Sequence, residues 1–191
     1  MKKHILAGLA LCAAAGAQAA PGQWKGFVGI AVTGGGETLT EVPYDNGDVQ
    51  DIRSGGLVDV KGGFEWRQSG SPFALQGSLG YHVDRSSASN GSVRFERFPI
   101  ELLGFWDVAP NLRLGAGLRY AANARLRASG AGLQFASNSD LSASGGVVLE
   151  GEYLFSPHFG LSLRAVSERY KFDNSAKADG DHLGVRFSYY F

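Results

Sequence analysis

Ser78, His82 and Asp84 fall within one short stretch, "SLGYHVD". A nucleophile, a base and an orienting acid are the parts of hydrolytic acyl chemistry. On an extended strand all three share a face, yet serine-rich alternating strands give this spacing without any chemistry. His158 stands in a tight "SPH" turn, a structural or surface position. His182 opens the final segment. The glycine-rich "TGGGET" (Thr33 to Thr38) lacks the lysine and helix of a phosphate loop, so it reads as loop. "YDNGDVQD" (Tyr44 to Asp51) has acidic spacing that could touch a divalent cation, but its calcium-loop pattern is incomplete and a solvated loop is the better reading. No metal-ligand cluster and no cofactor motif appears. A larger constellation is a set of charges recurring at alternate positions: Lys61, Arg67, Arg113, Arg119, Arg164 and Arg186 with Glu65, Glu101, Glu150, Glu152 and Glu168. Gathered in one interior, these could make a selective pore, a proton relay or a packed polar core. The near-balance of signs favours the packed core, because sequestered charges require partners.

The elements that must position them are strands. In "GLVDVKGGFEWR", Val58, Val60, Phe64 and Trp66 share one parity, and Asp59, Lys61, Glu65 and Arg67 the other. Period two with segregated faces is the signature of a strand. The pattern predicts eight strands at about 24–33, 56–67, 73–84, 93–107, 112–127, 140–155, 159–172 and 182–191. The fourth is less regular: Phe105 breaks its apolar parity and Pro99 removes a ladder donor, which predicts a bulge or bend. Connections alternate between tight ("QSGSP", "APN", "SPH") and long and polar (34–55, 85–92, 128–139, 173–181).

The first twenty residues hold two lysines and no acid. "MKK", the apolar "ILAGLALCAAAG" and Ala17-Gln18-Ala19 form the three regions of a secretory leader, expected over residues 1–19 with the mature domain at 20–191. Cys12, the only cysteine, lies in the apolar core of that leader, so the mature chain has no disulfide. What remains carries 16 basic and 18 acidic residues, which argues against a nucleic-acid partner. No later apolar run is long enough for a spanning helix.

Two eight-stranded barrels fit: a lipocalin with its apolar face inward, or a membrane barrel with that face outward. Gly22-Gln23-Trp24 matches the start of lipocalins, but no helix pattern follows the eighth strand. The aromatics decide. Trp66, Phe73, Trp106, Tyr153, Phe155, Phe159, Tyr189 and Phe191 all lie beside tight turns or at the terminus, one height on a membrane barrel; Tyr81 and Tyr120 mark the other edge. Interfacial rings of this kind girdle outer-membrane barrels. The expected fold is therefore all-β, an eight-stranded antiparallel up-and-down transmembrane barrel.

Here the sequence resembles a family. Leu183, Val185, Phe187, Tyr189 and Phe191 look like the C-terminal assembly signal of the small Gram-negative outer-membrane β-barrels (the OmpA, OmpX and OmpW-like group). "FPIELLGFWDVAPNLRLGAGLRY" looks like their central hairpin. The resemblance implies transit past periplasmic chaperones, recognition by the outer-membrane assembly machinery, a setting of outer-membrane lipid and lipopolysaccharide, and a monomer. It implies a non-enzymatic role in surface interaction, adhesion or envelope integrity carried by outer loops. Alternatives are a narrow channel for small apolar molecules and a lipid A-modifying enzyme.

Reflecting each tight hairpin about its turn predicts specific lumen pairs. Glu101 falls opposite Arg119, and Glu150 opposite Arg164, with Glu168 and Arg186 on the same inward parity. Opposed side chains this close can bridge.

Overall fold

The computed structural model describes residues 22–43, 49–88, 91–130, 133, 138–143, 145–171 and 177–191. The leader expected over 1–19, Cys12 included, and residues 44–48 of the candidate acidic loop lie outside the described residues.

Among the described residues there are thirteen strand segments: β1 (Gly22–Gly35), β2 (Thr38–Pro43), β3 (Val49–Arg53), β4 (Leu57–Gln68), β5 (Phe73–Ala88), β6 (Gly91–Ala109), β7 (Leu112–Gly130), β8 (Ser139–Ala143), β9 (Gly145–Leu154), β10 (Phe159–Ser167), β11 (Arg169–Lys171), β12 (Lys177–Asp179) and β13 (His182–Tyr190). They form eight staves, because the last three are each broken once: β8 runs into β9, β10 into β11, and β12 into β13. Every neighbouring pair is antiparallel, and β1 pairs with both β4 and β13, closing the barrel. At the seam, the Gly26 amide donates to the Phe191 carbonyl (3.0 Å) and the Phe191 amide to the Gly26 carbonyl (2.9 Å). The expected strand at 159–172 is thus interrupted at Glu168, and the one expected at 140–155 is described as two segments, β8 and β9.

β5, β6 and β7 are 16, 19 and 19 residues long. A tilted strand needs only ~9–11 residues to span, so these three rise well above the bilayer. Their polarity changes on the way up. In the lower part Ile100, Leu102, Trp106, Leu114, Leu118 and Tyr120 face outward and Glu101, Arg113 and Arg119 inward. Higher up, Val93, Phe95, Ala124 and Leu126 are buried, while Arg85 and Arg125 are exposed. An apolar exterior suits hydrocarbon, and an apolar interior suits water. On β7 the change is made by one extra residue. Asn123 has φ 51°, and the ladder with β6 slips between Glu96 and Phe98. This is a β-bulge, and it reverses the facing of everything beyond it. Asn is among the residues that tolerate a positive φ. The bend anticipated at Pro99 is this slip, located just above the proline.

The first outer connection, expected to be a polar loop over 34–55, is instead the β2–β3 hairpin, folded over the mouth. Ile52 is fully buried among Val93, Phe95, Leu126, Leu141 and Tyr170, with Leu39 packed against them. The hairpin feet are pinned: the Glu37 amide donates to the Asp179 carbonyl (2.8 Å), the Asp179 amide returns a bond to the Glu37 carboxylate (3.0 Å), and the Ser54 hydroxyl also donates to Asp179. The Arg53 amide donates to Asp84 (2.9 Å).

Candidate functional site

Inward parity carries the charges into a closed column. Below the cap, Lys61, Arg97, Arg113, Arg119, Arg164 and Arg186 are all buried, and so are Asp59, Glu65, Glu101, Glu150, Glu152 and Glu168. These six cations meet these six carboxylates, and buried Asp84 near the cap makes a seventh among the described residues, so the interior is close to neutral as a whole.

At the turn end the floor is Arg113. Its guanidinium bridges Glu65 (2.7 Å) and Glu152 (2.6 Å) and donates to the Tyr190 hydroxyl (2.6 Å). Tyr190 donates on to Glu152 (2.8 Å), and Gln76 joins Glu65 (2.8 Å). Phe105, the residue that broke the sequence parity, points inward beneath the Arg113 guanidinium, 4.5 Å from its ring centre. A polar depression of about 220 Å³ enters from this end and has Arg113, Glu65 and Tyr190 among its walls. Arg67, expected inside, is only half-buried and pairs with Asp107 at the rim.

The middle layer centres on Glu101. Lys61 (2.7 Å), Arg119 (2.5 Å) and Arg164 (2.7 Å) all reach it. Arg119 also bridges Glu168 (3.0 Å) and lies 3.5 Å from Asp59. Glu101 and Arg119 are opposed in the ladder and joined by this bridge. Glu150 and Arg164 are opposed too, but their expected bridge is corrected: Arg164 crosses to Glu101, and Glu150 is taken by Arg186 (2.5 Å). The reason is curvature. Inward side chains of a narrow barrel converge, so a long arginine can reach a carboxylate three staves away as readily as its neighbour.

The hydrolytic set does not assemble. His82 is fully buried. Its Nε2 lies 2.9 Å from the Thr33 hydroxyl and 3.1 Å from Arg97, and its Nδ1 lies 3.1 Å from Arg119. Neither Ser78 nor Asp84 is among its described partners, and Asp84 instead holds the Arg53 amide. His182 stacks edge-on against His82, with ring centres 5.2 Å apart. His158 is exposed in its turn and bonds the Tyr190 carbonyl (2.8 Å). In the cap, Tyr170 donates to Glu168 (2.7 Å), and burial holds its hydroxyl above the ordinary tyrosine range, so it remains a donor. Among the described residues no group of His, Cys, Asp or Glu is placed to hold a metal ion.

Sequence reasoning missed Arg97 and Tyr190 as members of the column, although the parity of Phe98 and of Tyr189 would have pointed to them; Asp59 lies on the charged face that the alternation of β4 assigned to it. Also missed was Trp24, which lies outward directly opposite Trp66.

On the outer wall Trp106, Tyr153, Phe155, Phe159, Tyr189 and Phe191 are exposed, with Trp66 and Phe73 half-covered. Phe159 lies 5.1 Å from Tyr189 and 5.6 Å from Phe187, ring centre to ring centre. Val28, Ile30, Leu79, Leu102, Leu118, Leu149, Leu163 and Leu183 continue this apolar wall upward. Water would not tolerate so continuous an apolar exterior.

The outer membrane protein beta-barrel domain model matches residues 5–191. The chain belongs to that family. This outer-membrane barrel is also similar to solved structures. Ail, the attachment invasion locus protein of Yersinia pestis, solved with the heparin analogue sucrose octasulfate, shares 12% identity over 89% of this chain and 99% of its own, with a TM-score of 0.53. At that identity the likeness is one of fold. Neisserial surface protein A (12% identity, 87% of this chain and 97% of that one, TM-score 0.42) and the outer membrane protein AlkL (13%, 92% of each, TM-score 0.44) are also matched. No curated protein matches the sequence. The barrel resides in the Gram-negative outer membrane, in a setting of lipid and lipopolysaccharide.

Proposed function

We propose that this barrel is a sealed, non-enzymatic outer-membrane scaffold that acts through the folded platform above the bilayer, in surface interaction, adhesion or envelope integrity. One observation carries the reading: the lumen is filled at two levels by ion pairs and then covered by the Ile52 hairpin, while β5–β7 continue outward into a part with its own apolar core. Planar-bilayer recordings test it. The intact protein should give no conductance steps, and removal of residues 38–53 should still give none, because the Arg119–Glu101 and Arg113–Glu65 layers stand below the cap. Regular steps from either protein would overturn the reading.

A second reading, movement of small apolar molecules along the wall, is supported by one feature. An open apolar groove of about 860 Å³ runs over β9, β10, β13 and β1, with Leu149, Leu163, Leu183, Val32 and Val185 along it.

The remaining assignments are proposals of the same kind. Residues 1–19 are a leader removed on export, and the barrel is a monomer. Periplasmic chaperones deliver it to the outer-membrane assembly machinery, which reads Phe187, Tyr189 and Phe191. The Phe191 ring fills the space above Gly26, where an added Cβ would lie 2.4 Å from it. Phe191→Ser should therefore slow insertion in cells several-fold while changing the urea midpoint of already folded barrels little. Normal surface yield in a pulse-labelling experiment would count against the signal.

A further inference from the structure

The depression of about 220 Å³ at the turn end has two unlike sides. Lys25 on β1 and Arg67 on β4, neighbouring staves, line one of them. Leu154 on β9, with Pro110 and Pro157 from the β6–β7 and β9–β10 turns, lines the other. Proline restricts the backbone of both turns, and hydrogen bonds lace the mouth together. The Leu154 amide donates to the Asn111 carbonyl (2.8 Å), the Asp107 amide to the Pro72 carbonyl (2.9 Å) and the Tyr190 amide to the His158 carbonyl (2.8 Å). The depression is therefore preformed, as small-molecule sites usually are. Its side-chain carboxylates are already engaged. Glu65 is held by Arg113 (2.7 Å) and Gln76 (2.8 Å), Asp107 by Arg67, and Glu152 behind the floor by Arg113 (2.6 Å) and the Tyr190 hydroxyl (2.8 Å). The Phe191 carbonyl on the neighbouring stave takes the Gly26 amide (3.0 Å). Lys25 stands directly opposite Glu65 in the ladder, yet Glu65 turns inward to Arg113. The Lys25 side chain is exposed, and among the described residues it makes no hydrogen bond or ion pair.

This uneven engagement defines the occupant. The acids are committed to guanidiniums and have little to offer a cation. The Lys25 ammonium keeps all three of its donors for an anion, and one uncommitted cation matches one negative charge. The facing wall of Leu154, Pro110 and Pro157 favours an apolar body over water. The volume lies below the ~300 Å³ at which pockets for drug-sized ligands begin, so the body is short. The Arg113 layer closes the way upward. We infer that this mouth is a binding site for a small monocarboxylate with a short apolar body, its carboxylate on Lys25 beside Arg67 and its body against Leu154 and the two prolines. Only the compartment it samples, the periplasm, rests on the outer-membrane placement, and the sealed lumen is tested separately by conductance.

The experiment titrates the full, isotope-labelled barrel in zwitterionic detergent with N-acetylalanine and follows backbone amide shifts, with folding of every variant verified by its heat-dependent gel shift. Shifts should saturate at Lys25, Asn111 and His158, with a dissociation constant on the order of 1 mM, as suits one partly solvated ion pair beside a small apolar contact. K25Q should weaken binding about five-fold, the size of one such pair, and K25R should restore it. K171Q, at the outer end, should match the wild type. N-acetylalaninamide, which replaces the carboxylate by a neutral amide, should bind the wild type no better than N-acetylalanine binds K25Q; this arm needs no variant to fold. Absence of saturable shifts at the turn end, wild-type binding by K25Q, or equal binding of the amide would each overturn the site. Equally tight binding of inorganic phosphate would overturn the apolar body and with it the ligand class.

Discussion

Replacing Arg119 by alanine is expected to destabilise the folded barrel by about 3–5 kcal/mol, the range for breaking a buried charge pair from one side. The side chain has no solvent access and touches Glu101, Glu168, Asp59 and His82. Its loss does not fall equally on them. Glu101 keeps Lys61 and Arg164, and Glu168 keeps the Tyr170 hydroxyl. Asp59 is left with Lys61 alone at 3.5 Å. Arg94→Ala on the exposed wall removes a partly solvated pair and should stay within roughly 0.5–1 kcal/mol of wild type. Reversible urea unfolding in lipid vesicles measures both. An Arg119→Ala barrel within 1 kcal/mol of wild type would mean that the column fills space without holding the staves together.

The second large effect is steric. An added Cβ at Gly117 would lie 2.0 Å from the Leu102 carbonyl oxygen and 2.7 Å from the Leu103 Cα. Both obstacles are backbone of the neighbouring stave, so no rotamer change relieves the contact. Glycine at such a position lets a closed sheet bend sharply. Gly117→Val should cost about 3 kcal/mol or more, beyond ordinary core overpacking, and should sharply lower the yield of heat-shifted, folded protein. Gly77→Ala is the matched control, because an added Cβ there meets nothing within 4 Å. If Gly117→Val refolds as well as Gly77→Ala, the close approach of β6 and β7 is not a requirement of closure.

Much of this architecture is legible in period-two alternation. Leu183, Val185, Phe187, Tyr189 and Phe191 declare one stave and its facing, and reflection about the "APN" turn places Glu101 against Arg119. What eludes the sequence is whatever depends on the third dimension of the barrel. Ladder opposition of Glu150 and Arg164 is a local property, but the choice of Arg164 for Glu101 is made across the lumen. His82 looks peripheral because its strand appears to end at Asp84, whereas the strand continues to Ala88 and the hairpin lies over it. Ile52 sits in a segment too polar to announce a core residue. The bulge at Asn123 leaves only an indirect trace: Tyr120 and Leu126 share even parity although one faces lipid and the other the interior of the cap.

The reversal of polarity along β7 has a consequence for where the protein can sit. Leu112 to Tyr120 is the stretch with an apolar exterior, eight steps that rise about 20 Å at a tilt near 40°. Trp24, Trp106 and Tyr153 mark its lower limit, and Tyr81, Phe98 and Tyr120 its upper one. Sinking by one rung, about 5 Å, would carry Glu96 and Arg125 toward hydrocarbon, where an arginine costs ~2–4 kcal/mol at the midplane and less near the edge. Rising by one rung would lift the tyrosines clear of the interface and draw the Arg67–Asp107 rim into the acyl region. Vertical position is therefore defined to within a rung from both directions, and the hydrocarbon thickness that suits the chain is on the thin side, as the bacterial outer membrane is. In a thicker bilayer the lipid must thin around the barrel, because a closed ring of eight staves, unlike a lone helix, has little length to gain by tilting.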